Sequence, residues 1–164
     1  MDTWKALDAA TAAEARALLL AACGSERWAT RMLEHRPFGS RDALLARARE
    51  VWFSLAEEDW REAFRHHPQI GDRDALRRRF PATHHLSERE QAGVADAGSD
   101  ILAALAADNQ KYVDTFGYIF IVCATGKSAG EVLALLRDRL DNDPRAEIRI
   151  AAEEQARITA LRLA

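Results

Sequence analysis

At 164 residues the chain is long enough for one domain with a proper core and too short for two ordinary ones. Apolar residues make up 48% and charged residues 30%, the composition of a soluble globular protein. Few prolines and glycines beside many Ala, Leu, Arg and Glu point to helices. A net charge of −3 argues against a general nucleic-acid or membrane binder.

Two cysteines, Cys23 and Cys123, cannot build a disulfide framework and match no zinc spacing. The first residues, Met1 to Lys5, lack the basic and apolar regions of a signal peptide. The apolar runs Ala17 to Cys23 and Tyr118 to Ala124 are too short to span a bilayer. The closing Leu161-Arg162-Leu163-Ala164 is not a peroxisomal address. A reduced, cytoplasmic protein is the simplest reading.

In chain order, Thr11 and Glu14 stand at capping-box spacing and open a helix through Leu18, Leu19 and Leu20 that ends at Gly24. Ser25 caps a second helix carrying Trp28, Met32 and Leu33, which stops at Arg36-Pro37. Ser40 caps a third, with Leu44, Leu45, Ala48, Trp52 and Leu55 on one stripe. A fourth runs from about Glu57 to His66, with Trp60 and Phe64 four apart on one face.

His67-Pro68-Gln69-Ile70-Gly71-Asp72 stops that helix. Proline disfavours the α region for the residue before it, so His67 is expected to be extended beyond the helix end. A histidine held there is either a structural stop or a group for acid/base chemistry, since its pKa lies near neutrality. From Gly71 to Leu86 the pattern is irregular. Arg73, Arg77, Arg78 and Arg79 mark either a solvated excursion or a lid that attracts an anion. Ser87 and Glu90 then open a helix expected to run past Leu105 towards Tyr112. Glu90 and Gln91 can serve the cap, face His67 in a site, or both, because helix N-termini present N–H groups to anions.

Tyr118 to Val122 is rich in β-formers, yet no partner strand is found elsewhere, so Phe116 to Ala124 is read as a buried helical segment. Thr125-Gly126-Lys127-Ser128 is not a phosphate loop, because a Walker A needs glycine where this chain has Ile121. Gly126 is read as a helix end, with Ser128 and Glu131 capping a helix to about Leu140. Asp143-Pro144 starts the last helix. There Ile148, Ala151, Gln155, Ile158 and Arg162 share one face. An arginine on an inward stripe needs a partner: it snorkels at the helix end or binds an acidic or carbonyl-rich substrate. The expected architecture is all-α, a single-domain bundle of about seven or eight helices over residues 1–164.

His66-His67 and His84-His85 lack the i, i+4 spacing of a helical zinc motif, and no H-E-x-x-H occurs. No metal site is expected. Cys123, inside an apolar run, reads as a packing residue.

His67-Pro68-x-Ile70-Gly71, Ser87-x-x-Glu90-Gln91, the segment Phe116 to Ala124 and the closing Leu161-Arg162-Leu163 form a set. With Arg36-Pro37-Phe38, it resembles the 2-oxo-4-hydroxy-4-carboxy-5-ureidoimidazoline (OHCU) decarboxylase family, in order along nearly the whole chain. The resemblance implies an all-helical, homodimeric, cofactor-free enzyme. It would complete urate oxidation by converting that ureidoimidazoline to (S)-allantoin and carbon dioxide, functionally linked to uricase and hydroxyisourate hydrolase. No metal is needed, because the substrate's ring C=N accepts the electron density that carbon dioxide leaves behind.

By the same resemblance His67 would handle protons, Glu90 would orient and polarise the substrate, and Arg162 would bind its polar end. Pro68, Ser87, Gln91, Phe120, Ile121, Val122, Cys123 and Ala124 would line the pocket, the last five supplying backbone donors and acceptors as well as an apolar wall that disfavours a charged carboxylate. The arginine-rich Arg73 to Arg79 stretch and His84-His85 depart from part of that family. Three rivals stand beside this reading: a non-enzymatic helical interaction module, a metal-dependent hydrolase using the histidines, and the same fold acting on a related ureido or hydantoin compound.

Overall fold

In the computed structural model, residues 1–67 and 88–164 are described, the side chains of 88–97 and of 99 excepted. Among the described residues there are eight helices and no strand. The all-α expectation holds. The Arg73 to Arg79 stretch and the His84-His85 pair lie outside the described residues.

Local capping chemistry starts most of these helices. Thr11 and Glu14 form the reciprocal capping box that opens α2 (Ala12–Ala22). Ser25 accepts from Trp28 N to open α3 (Glu26–Glu34), and Ser40 accepts from Ala43 N to open α4 (Arg41–Phe53). Helix α5 (Glu57–Arg65) has no side-chain cap, but Glu57, Glu58 and Asp59 set three carboxylates in its first turn, where the helix dipole favours them. A short first helix, α1 (Thr3–Ala9), has no side-chain cap either and was not expected. Its end is tied down by the Asp8 carboxylate, which accepts from Phe38 N and Gly39 N, and by Arg36, which donates to the Asp8 and Ala10 carbonyls.

The chain divides into two compact units, residues 1–67 with 148–164, and residues 68–147. In the first, three tryptophans knit the helices. Each buries its ring and donates its indole N–H to a helix carbonyl: Trp28 to Ala48, Trp52 to Ala152 and Trp60 to Trp52, at 2.9–3.0 Å. Such pairing removes the cost of burying the indole N–H while keeping the apolar gain of the ring. Phe64 packs edge-on against Trp52. Gly24, between α2 and α3, lies so close to His66 that a Cβ there would fall 2.4 Å from the ring. Glycine is what lets the end of α5 approach.

In the second unit, α6 (Glu88–Phe116) packs against α7 (Ala129–Leu140). Gly117, at φ +83, ends α6 with its N–H on the Val113 carbonyl. Ser128 caps α7 as expected. The expectation of a helix over Phe116 to Ala124 fails: residues 117–128 are irregular, and Gly126 sits in a turn at φ +77 rather than at a helix end. Asp143 accepts from Arg145 N and Ala146 N to start α8 (Pro144–Leu163), whose first turn belongs to the second unit and whose remainder belongs to the first.

Candidate active site

His67 stands one residue past the α5 C-cap, His66, and its N–H donates to the Phe64 carbonyl. The ring is held from α8: His67 Nε2 donates to Gln155 Oε1 at 2.5 Å, and Gln155 Nε2 donates to Thr159 Oγ1 at 3.1 Å. Gln155 is fully buried and Thr159 nearly so. Thr159 in turn hydrogen-bonds the Cys23 sulfur. Burial pushes the Cys23 thiol up to about 11, against the opposing pull of the Ser25 N–H, the Thr159 hydroxyl and the nearby Arg162 charge. This thiol is a packed, protonated group rather than a nucleophile.

Arg162 follows Gln155 by seven residues on the same face of α8, about 10 Å along the axis. Its Nη1 donates to the Ala22 carbonyl, one of the orphan acceptors at the end of α2. The expectation of an inward arginine is corrected, because Arg162 is exposed; one of its N–H groups is nonetheless paired, and a guanidinium carries further donors beyond the one engaged there. His67 is thus held against the stripe of α8 that carries Gln155, Thr159 and Arg162. Sequence reasoning placed Gln155 on that stripe without seeing a role. The available signal was the one applied to Arg162: a buried polar side chain must be paired. Ile158, expected inward, is half-buried, and Thr159 takes the buried position beside it.

The second unit holds Phe120, Ile121, Val122, Cys123 and Ala124. The first three are buried, whereas Cys123 is only half-buried, a correction to its reading as a core packing residue. Among the described residues this stretch has no strand partner, and three of its backbone groups are met by side chains instead. Phe120 N donates to Asn109 Oδ1 at 3.2 Å, Arg139 Nη1 donates to the Ile121 carbonyl at 2.6 Å, and Lys127 Nζ donates to the Cys123 carbonyl at 3.0 Å. Arg139 also lies over the Phe120 ring, 4.4 Å from its centroid.

Behind it Glu147, fully buried, accepts from Arg139 Nε and Tyr112 Oη at 2.6 Å each and from Asn142 Nδ2 at 2.9 Å. Burial, and the proton it donates to Glu147, push the Tyr112 phenol far above its ordinary range. The sequence reading missed this cluster, because its members are distant along the chain from the segment they hold.

Pro68 and Ser87 lie outside the described residues. Glu90 and Gln91 are the third and fourth residues of α6, and their side chains lie outside the description. Among the described residues no group of three or more His, Cys, Asp or Glu side chains is placed to hold a metal, and no helix is long and apolar enough to cross a membrane.

Residues 8–164 match the family model described as OHCU decarboxylase. The chain is 37% identical over 143 residues to the uric acid degradation bifunctional protein TTL of Arabidopsis thaliana, covering 87% of this chain and 44% of that one. It therefore spans less than half the length of that relative. It is 33% identical over 128 residues to the 2-oxo-4-hydroxy-4-carboxy-5-ureidoimidazoline decarboxylase of Amia calva, covering 78% and 73% of the two chains. Among solved structures, an OHCU decarboxylase crystallised in the presence of (S)-allantoin aligns with a TM-score of 0.72 at 36% identity, over 88% of this chain and 93% of that one. With the family model matched along nearly its whole length, the chain belongs to the OHCU decarboxylase family.

Proposed function

We propose that the chain is a cofactor-independent carboxy-lyase that converts 2-oxo-4-hydroxy-4-carboxy-5-ureidoimidazoline to (S)-allantoin and carbon dioxide. Residues 1–164 form one decarboxylase domain in this reading. The observation that carries it is His67, held at a helix exit by a buried amide in a chain of this family.

In the reaction the C–CO2 bond pair becomes a C=C bond to the carbon bearing the ureido group as carbon dioxide leaves, and the C=N π pair moves onto the ring nitrogen, which takes up a proton, giving an enol. Its hydroxyl proton departs, and a proton is added on one face of the carbon bearing the ureido group. His67 handles a proton beside the hydroxyl and carboxylate, the task for which an imidazole side chain is suited. Glu90 orients and polarises the substrate with His67, and Arg162 binds its polar end. Pro68, Ser87, Gln91, Phe120, Ile121, Val122, Cys123 and Ala124 line the pocket. The Phe120 N–H and the Ile121 and Cys123 carbonyls are already engaged by Asn109, Arg139 and Lys127, so this stretch acts chiefly as a shaped apolar wall. Orientation and desolvation there supply several kcal/mol of barrier reduction, on the order found for positioned reactants.

A cytoplasmic homodimer working after uricase and hydroxyisourate hydrolase completes the proposal. The test is optical. The substrate is generated in place from urate with those two enzymes, the protein is added, and circular dichroism is followed. Fast growth of the (S)-allantoin signal supports the assignment. Slow formation of racemic allantoin, alike with and without the protein, overturns it.

A further inference from the structure

We propose that Gln155 is a positioning residue that fixes the tautomer of His67, keeping hydrogen on Nε2 and leaving Nδ1 as the basic nitrogen of the ring. The inference rests on the reading of His67 as the proton-handling group and deepens it. A carboxamide has one accepting and one donating end, and the end that meets His67 is decided by what holds the other. Here the other end meets Thr159: Gln155 Nε2 lies 3.1 Å from Thr159 Oγ1. The Thr159 oxygen accepts from that amide nitrogen, which turns the Gln155 oxygen towards His67. Donation therefore runs in one direction, from His67 Nε2 to Gln155 Oε1 and from Gln155 Nε2 to Thr159 Oγ1.

A carbonyl oxygen only accepts, so Nε2 carries hydrogen whether the ring is neutral or charged. Proton exchange is confined to Nδ1 in both states. The chain is also uncharged. A carboxylate in place of Gln155 would give the same tautomer but would hold the imidazolium charge, whereas an amide orients the ring without resisting loss of its proton. Gln155 is fully buried and Thr159 nearly so, which keeps water from replacing either contact.

The test reads the ring nitrogens of His67 directly, in 15N-labelled free protein, by long-range 1H–15N correlation at a pH where the ring is neutral. The signals are assigned by their loss in His67→Ala. Wild type is expected to show the Nε2–H form. Gln155→Leu is expected to move the ring to a tautomer mixture and lower kcat about 10- to 100-fold with little change in KM, the scale for residues that orient a working histidine. Thr159→Val, close to isosteric, is expected to give a smaller shift in the same direction, and Gln155→Glu to restore the Nε2–H form.

An Nδ1–H tautomer in wild type, or an unchanged tautomer in both Gln155→Leu and Thr159→Val, overturns the proposal. The tautomer is read without substrate, so the outcomes separate. If the ring follows Gln155 while no preparation decarboxylates, the positioning role stands and the functional reading falls. If wild type decarboxylates and the ring ignores Gln155, the reverse holds.

Discussion

Two polar networks hold candidate site residues, one in each unit, and they differ in charge. His67 is held by an uncharged chain of Gln155, Thr159 and Cys23. The Phe120 to Ala124 stretch is held by a buried ion pair, Arg139 with Glu147, joined by the Tyr112 phenol. A neutral amide orients an imidazole without fixing its charge. An ionic clamp gives an irregular segment one shape at the expense of burying charge.

The largest expected effect lies in the ionic clamp. Arg139→Met leaves Glu147 buried and uncompensated, and should destabilise the protein by about 3–5 kcal/mol in urea denaturation. A loss under about 1 kcal/mol would show that the pair behaves as a surface bridge and does not set the wall. On the histidine side, Gly24→Ala drives a Cβ into the His66 ring. Overpacking of this kind should cost about 1–3 kcal/mol, and activity should fall further than stability explains, because the displaced residue precedes His67. Unchanged stability and kinetics would mean that the α5 end is not held by this approach.

Caps should matter less. Ser25→Ala removes a fully buried cap and should cost about 1–2 kcal/mol, whereas Thr11→Ala, at an exposed cap, should cost about 0.5–1 kcal/mol. Equal costs would remove burial from the explanation.

The smallest effect concerns Asp108. The Arg137 guanidinium holds its carboxyl below the ordinary range, against some desolvation. A lowered native pKa means that the contribution is whole above the unfolded value, about 3.9, and is lost as pH falls through the lower native value. The stability gap between wild type and Asp108→Asn should therefore close in acid and stay constant from pH 5 to 8. Arg137 is more than half exposed, so the gap should be modest. A gap that widens in acid would contradict the sign.

What was legible in the sequence was local. Thr11, Ser25, Ser40, Ser128 and Asp143 were read as caps because a cap depends on residues two to four apart. The last helix revealed the buried part of its stripe, Ile148, Ala151 and Gln155, for the same reason, whereas Ile158 is half-buried and Arg162 exposed. Phe116 to Ala124 misled because propensity has no term for a backbone satisfied by Asn109, Arg139 and Lys127 instead of by a helix or strand ladder. Gln155 was visible as a member of a stripe, but its role depends on which end of its amide meets His67, and that is a matter of tertiary geometry. The candidate site residues were named by resemblance of motifs; the partners that hold His67, Arg162 and the Phe120 to Ala124 stretch were not.

The most direct measurement compares two neighbouring histidines in the circular dichroism assay with substrate generated in place. His67→Ala should lower the rate of (S)-allantoin formation by about 10²- to 10⁴-fold, the usual worth of a positioned proton-transfer group. His66→Ala, which empties the space against Gly24, should retain most of the rate. Equal activity of the two variants, or fast (S)-allantoin formation by His67→Ala, would contradict the account.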